Sequence, residues 1–173
     1  MRVDAVRVWV GMVGMCAAAA AGAHNMHAMP EPAATSASVA KSLSASACWV
    51  RQLPAPLPSG GFLVIHNAGA EPATLKSVQS ADYGQVMMHQ TTESGGMSSM
   101  SMVHDLKVPA SGDLKFAPGG YHLMLEHPRA DLKVGDVANM VFTLSTGEEF
   151  SAACKVEPAN AMSADPAAAH AAH

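Results

Sequence analysis

The chain has 173 residues, of which 49% are hydrophobic and 14% charged, and its formal net charge is −4. This length allows one domain of ordinary size together with terminal extensions. The small excess of acidic residues, without a basic cluster, argues against binding to nucleic acid or to an anionic membrane surface.

The first 23 residues have the pattern of an export signal. Arg2 and Arg7 give a positive start, residues 8–15 are apolar, and residues 17–23 are small and end in an A-x-A cleavage pattern. An uncleaved membrane anchor is one alternative, but the 16 residues from 8 to 23 are fewer than the roughly 20 that a spanning helix needs. A lipid-anchored N-terminus at Cys16 is another. We expect cleavage after residue 23, export to a Gram-negative type of periplasm, and no stable membrane insertion afterwards.

The mature chain divides into three parts by composition. Residues 24–44 are rich in Ala, Ser, Pro, His and Met without apolar periodicity, which predicts a flexible leader. Residues 45–157 are predicted to form the folded domain. Residues 158–173 form an Ala-rich and His-containing segment, which predicts a flexible tail.

The central part contains short strand-like runs separated by turn residues. The predicted strands cover residues 48–53, 61–66, 74–80, 85–91, 97–103, 113–116, 122–125, 139–144 and 149–156. Thr146 and Gly147 fit a hairpin turn between the last two strands. Because no run of ten or more residues has a helical period, we predict an all-β fold, a β-sandwich or barrel with Greek-key-like connections.

Two cysteines remain after the predicted cleavage, Cys48 and Cys154. An even number of cysteines in an exported protein favours a disulfide, which would join the first and last strands of the domain. Two separate buried thiols are the alternative.

Two histidine–methionine pairs form a candidate metal site. Met100 follows His89 after ten intervening residues, and His122 follows Met100 after twenty-one, with Met124 two positions later. Residues at i and i+2 of a strand share a face, so His122 and Met124 can bind one metal together. Two imidazoles and two thioethers are a soft donor set of the kind that selects Cu(I).

The remaining histidines and methionines have simpler interpretations. A single Met in a strand usually fills the core, which is the interpretation for Met88. Met102 shares a strand face with Met100, and Met97 lies on the same segment, so either can replace Met100 in ligand exchange. We interpret His104 and His127 as surface residues and His66 as structural.

The spacing H-x10-M-x21-H-x-M resembles that of the periplasmic copper chaperone family PCu(A)C. The resemblance covers residues 47–156 and includes residues 49–51, Gly61-Phe62, the segment 118–121 before His122, and the turn at residues 132–136. It implies a cupredoxin-like β-barrel that binds one Cu(I) near its surface through His89, Met100, His122 and Met124. It also implies delivery of copper towards the CuA centre of cytochrome c oxidase, or to a thiol copper chaperone on that route.

The extensions contain donors for a second copper site. The expected mature N-terminus has His24, Met26, His27 and Met29, and the C-terminal tail has His170 and His173. A free α-amine beside histidines favours Cu(II), whereas the methionines suit Cu(I). A solvated leader without metal is the alternative.

Other classes of function fit less well. A blue-copper site needs a Cys thiolate beside its histidines, and a zinc site uses Cys, His and carboxylate ligands. No Cys-x-x-Cys or Gly-x-Ser-x-Gly motif is present, so we do not predict an enzyme. The main alternative to delivery is copper scavenging, buffering or uptake through the same site. We expect the protein to be a monomer.

Overall fold

The structure is a computed structural model that describes residues 38–128 and 132–163. The predicted signal sequence with Cys16, the predicted leader up to residue 37, and residues 164–173 of the predicted tail lie outside the described residues. The six candidate copper ligands of the extensions lie there too.

The described residues form ten β-strands and no helix, so none of them belongs to a helix long and apolar enough to cross a membrane. The strands are β1 (Leu43–Arg51), β2 (Ser59–Asn67), β3 (Ala73–Ser80), β4 (Tyr83–Ser94), β5 (Met97–Met102), β6 (Leu106–Val108), β7 (Gly112–Phe116), β8 (Tyr121–Pro128), β9 (Val137–Leu144) and β10 (Glu149–Glu157). The predicted all-β class is confirmed.

All ten strands belong to one mixed sheet in the order β5-β4-β8-β7-β2-β1-β10-β9-β3-β6. β1 pairs with β10, and β7 with β8, in parallel, while the other neighbours are antiparallel. β3 and β4 also pack against each other, so the sheet curls around a single main core. β5 is an edge strand and is exposed along its whole length.

Alternation of apolar and polar residues explains how the strands face this core. In β9, Ala138, Met140, Phe142 and Leu144 are buried, and in β10 the same holds for Phe150, Ala152, Cys154 and Val156. Phe142 and Phe150 stack with ring centroids 5.0 Å apart. Each large side chain of this kind contributes about 1.5–3 kcal/mol through burial, before the opposing entropy is counted.

Each of the nine predicted strands is present, but β6 was not predicted. It has only three residues and ends before Pro109, so its alternation of buried Leu106 and Val108 around exposed Lys107 is too short to stand out as a pattern.

The folded part extends beyond both boundaries predicted from composition. β1 begins at Leu43, and Leu43 and Ala40 are buried, so the predicted start at residue 45 is too late. At the other end, Ala161 packs with Trp49 and Phe62 in a small second cluster, so the predicted end at residue 157 is too early. Small side chains such as alanine carry little hydrophobic signal in a sequence, although they pack well in a structure.

Cys48 and Cys154 form a disulfide between β1 and β10, with Cα atoms 4.3 Å apart. The two residues are separated by 106 positions in sequence. The bridge therefore joins the first and last strands of the domain, as predicted.

Candidate metal centre

A tight hairpin between β4 and β5 carries the first two predicted ligands. Gly95 and Gly96 connect the strands with φ values of 60° and 79°, a left-handed conformation that glycine adopts without steric cost. This turn sets Ser94 opposite Met97 and, further along, Thr91 opposite Met100 and His89 opposite Met102. Met100 is thereby brought back alongside His89.

β8 carries the other two predicted ligands on the opposite side of β4. His122 lies opposite His89, and Met124 lies opposite Met87. Directly opposed residues of antiparallel strands project from the same face of the sheet. The structure therefore brings His89, Met100, His122 and Met124 onto one face of three neighbouring strands.

This face is the outer one, because the intervening residues point into the core. Met88 on β4 and Leu123 and Leu125 on β8 are all buried. The prediction that Met88 belongs to the core is confirmed. We call the outward-facing side of β5, β4 and β8 the metal face.

The turn before β8 fixes the orientation of the His122 ring. Gly119 adopts a φ of 81° there, and the Gly120 amide donates to the Ala117 carbonyl. His122 Nδ1 lies 3.0 Å from the Gly120 carbonyl oxygen. Because a carbonyl oxygen can only accept, Nδ1 is the donor, which leaves Nε2 as the nitrogen that can bind a metal.

His122 Nε2 and Met100 Sδ are 3.3 Å apart. This contact joins β8 to the edge strand β5 across β4. A nitrogen lone pair and a sulfur lone pair therefore converge on one point of the metal face, and both are donors for a soft metal ion.

His89 is buried, with 8% of its surface exposed, and neither ring nitrogen has a hydrogen-bond partner. Its ring lies 5.9 Å from that of His122 in an edge-to-face orientation. Burial, and secondarily the nearby His122, lower the pKa of His89, while Glu126 acts in the opposite direction. The ring is thus held neutral, which is the form that binds metals.

A buried polar group without a partner costs free energy, and such groups in native proteins call for an explanation. A soft metal ion provides one here, because it would bind a lone pair of His89 that no protein donor satisfies. Imidazole and thioether donors fit Cu(I), which favours a small number of uncharged soft ligands.

The four side chains differ strongly in exposure. His89 is buried and Met124 and His122 are half-buried, whereas Met100 is 54% exposed. A metal ion held by these four side chains would therefore lie near the surface on the side of β5. Among the described residues, no group of three or more His, Cys, Asp or Glu side chains is placed to hold a metal ion.

Two methionines of the metal face were not among the predicted ligands. Met102 is opposite His89, and Met87 is opposite Met124. The sequence contains a signal for both. A Gly-Gly turn of two residues determines the pairing of β4 with β5, which sets Met102 opposite His89. The i, i+2 spacing of Met87 and His89 places both on one face of β4.

Between residues 38 and 163 the described part of the chain has three further histidines, which were not predicted as ligands. His66 on β2 contacts Asp113 through Nδ1 (2.7 Å) and Ser46 through Nε2 (2.6 Å), which supports its structural interpretation. His104 and His127 are exposed, as predicted.

Comparison with known proteins identifies related sequences. A family model described as "Putative lipoprotein LpqE-like" matches residues 43–156. "Putative lipoprotein Lxx21020" from Leifsonia xyli subsp. xyli (strain CTCB07) is 25% identical over 130 residues, which are 75% of this chain and 78% of the relative.

Solved structures show the same fold. The apo PCuAC domain of PmoF2 superposes with a TM-score of 0.59 at 22% identity and covers 70% of this chain and 94% of that domain. Apo-DR1885 from Deinococcus radiodurans has a TM-score of 0.53 at 27% identity and covers 82% of this chain and 97% of its own. Its Cu(I) form has a TM-score of 0.52 at 28% identity, with coverage of 66% and 76%. The architecture is the predicted cupredoxin-like one.

Proposed function

The chain belongs to the family of LpqE-like putative lipoproteins, the PCu(A)C family, and from this premise we propose that it is an exported copper chaperone. The cargo is one Cu(I) ion, and the ligands are His89, Met100, His122 and Met124. The observation that carries the proposal is the convergence of His122 Nε2 and Met100 Sδ, 3.3 Å apart, beside a buried His89 ring whose nitrogens have no partner.

The donor set matches the needs of a carrier. Neutral nitrogen and thioether ligands add no negative charge, so they suit a monovalent soft ion and hold a divalent hard ion poorly. The Cu(I) form of the Deinococcus radiodurans protein, at 28% identity, supports the choice of oxidation state.

Release requires a ligand that a recipient can replace. Met100 is half-exposed and lies on an edge strand, so a thiolate or thioether of a partner can approach the metal from that side. Transfer by such ligand exchange needs no catalytic residue. We propose the CuA centre of cytochrome c oxidase or a thiol copper chaperone as the recipient, with copper storage, buffering or uptake as the alternative.

The proposed compartment is the periplasm. The predicted export signal supports it, as do the description of the family and its relative as putative lipoproteins and the disulfide of Cys48 with Cys154, since disulfides persist in oxidising compartments. Cleavage after residue 23 and lipid anchoring at Cys16 remain alternatives. Copper binding by the leader and tail histidines, and a monomeric state, also remain predictions.

A competition titration tests the site. Cu(I) affinity is measured anaerobically against a chromogenic chelator for the full chain, Met100→Leu and Met124→Leu, with Met97→Leu as the matched control. Met97 is on the same strand as Met100 but three positions away, so it faces the other side and, contrary to the expectation from the sequence, is not placed to replace Met100. It is 75% exposed. We expect each ligand variant to lose at least tenfold in affinity and the control to match the parent. Equal affinity in all four proteins would refute the site.

A transfer experiment tests the role. The Cu(I)-loaded protein is mixed with an isolated CuA domain or a thiol chaperone, and the copper content of each is measured after separation. Delivery predicts that at least one recipient gains copper. Retention of all copper at matched concentrations would instead favour storage.

A further inference from the structure

The metal face continues beyond the four proposed ligands towards the end of β5. After Met102, the Val103 amide donates to the Met88 carbonyl at 2.9 Å, so the chain stays in register with β4 beyond the end of the strand. The same register that sets Met102 opposite His89 then brings His104 level with Met87. Met87, Met102 and His104 are therefore neighbours on the outer side of the sheet.

The three residues also border a common cavity. Met87, Met102 and His104 all line one cavity of about 120 Å³, which lies at the edge of β4 just past the end of β5. Val78 and Val86 form part of its wall. This volume is sufficient for a metal ion.

We propose that Met87, Met102 and His104 form a second Cu(I) site. Two thioethers and one imidazole are three soft, uncharged donors, a number and type suited to Cu(I) and unsuited to Mg²⁺ or Ca²⁺. The proposal that copper is the ion rests on the function proposed above, whereas the clustering of the three donors does not.

The surroundings of the cavity are compatible with a monovalent cation. Lys76 also lines the cavity, but its ammonium group pairs with Asp105 at 3.0 Å, which offsets its positive charge. The Met87 sulfur accepts a hydrogen bond from the side-chain amide of Gln85 at 3.2 Å. The sulfur therefore lies on the outer side of the sheet and not in the core.

The position of this second site gives it a role in transfer. Met102, one of the three donors, lies opposite His89 of the first site. A copper ion held by Met87, Met102 and His104 therefore has a ligand that lies directly opposite the buried imidazole of the first site. The second site has a lower affinity for copper than the first, and copper passes through it on entering or leaving the first site.

Methionine-methyl NMR of the full chain tests this proposal, with Ag(I) as a redox-inert probe for Cu(I). The ¹³C-methyl signals are followed through two equivalents of Ag(I) and assigned with Met→Leu variants. We expect Met100 and Met124 to shift first, Met87 and Met102 to shift in a later phase, and exposed Met97 to stay unchanged. A single phase in which Met87 and Met102 do not move would overturn the second site.

A stoichiometry measurement separates this proposal from the first one. The double variant Met87→Leu/His104→Asn is expected to bind one Cu(I) fewer than the parent while keeping the high-affinity step. The leader and tail are the same in both proteins, so their contribution cancels. Equal stoichiometry would refute the second site alone, whereas loss of high-affinity binding in Met100→Leu is the separate signature of the first site.

Discussion

His89 and His122 lie directly opposite each other on β4 and β8, yet the two rings differ in hydrogen bonding and in burial. His122 has a carbonyl partner for Nδ1, while His89 has no hydrogen-bond partner and is buried. One imidazole is thus oriented by the backbone of its own turn, and the other is enclosed by its neighbours. This asymmetry leads to predictions about stability as well as about metal binding.

Replacing His89 by Leu should stabilise the metal-free protein while weakening copper binding. The substitution removes two buried nitrogens without partners and puts apolar atoms in their place, a gain on the order of 1 kcal/mol. Urea unfolding of the metal-free variant measures this gain, and Cu(I) competition measures the loss of affinity. A variant less stable than the parent would show that the ring contributes more through packing than its unpaired nitrogens cost.

The pH dependence of stability should carry a component from His89. Its pKa is lowered in the folded state from the ordinary value of 6.5. Above about pH 6.5 the ring is neutral in both states and contributes nothing. As the pH falls below that value, the unfolded chain binds a proton that the folded protein does not, so the free energy of unfolding decreases. The free energy of unfolding, measured between pH 8 and 5, should depend less on pH for His89→Leu than for the parent. The other histidines are common to both proteins.

Substitutions in the Gly95–Gly96 turn should lower copper affinity, although neither glycine is a proposed ligand. A Cβ at either position meets no atom within 4 Å, so Gly95→Ala or Gly96→Ala is disfavoured only by the positive φ, by about 1–2 kcal/mol. Because β5 is exposed along its length, little packing holds Met100 in place once the turn is strained. We expect a severalfold loss of Cu(I) affinity. Gly95→Asn is the matched control, because Asn tolerates this conformation and should lose much less.

The disulfide should stabilise the fold without contributing to the metal site. Cross-linking residues separated by 106 positions restricts the unfolded chain, and loss of such a bridge costs about 3–5 kcal/mol. The double variant Cys48→Ala/Cys154→Ala should therefore unfold at lower denaturant concentration but bind Cu(I) with the affinity of the parent while folded. A parallel drop in affinity under conditions where the variant is fully folded would mean that the thiols take part in binding.

The amino-acid sequence was sufficient to predict the all-β class and the disulfide, because these depend on local alternation and on residue type. The four ligands remain a prediction, which rests on residue type and on family resemblance. The sequence was not sufficient for the neighbours of the ligands. The i, i+2 spacing places Met102 with Met100 and Met87 with His89, but only the pairing of β4 with β5 and β8 shows which ligand each one lies opposite. His104 comes beside them only because the chain continues along β4 beyond the end of β5. The short strand β6 and the packing of Ala40 and Ala161 depend in the same way on distant contacts that sequence periodicity does not report.

Copper binding should make the exposed edge strand more rigid. β5 is hydrogen-bonded to β4 on one side and is an edge on the other, whereas His122 belongs to β8 in the interior of the sheet. A metal ion held by both Met100 and His122 links β5 to β8, so local opening of β5 would require breaking a metal bond. Hydrogen exchange should therefore slow at β5 amides on Cu(I) loading in the parent but not in Met100→Leu, while β10 amides serve as the internal reference. Slowing of equal size in β5 and β10 would indicate a general stabilisation by ligand binding and would argue against this link.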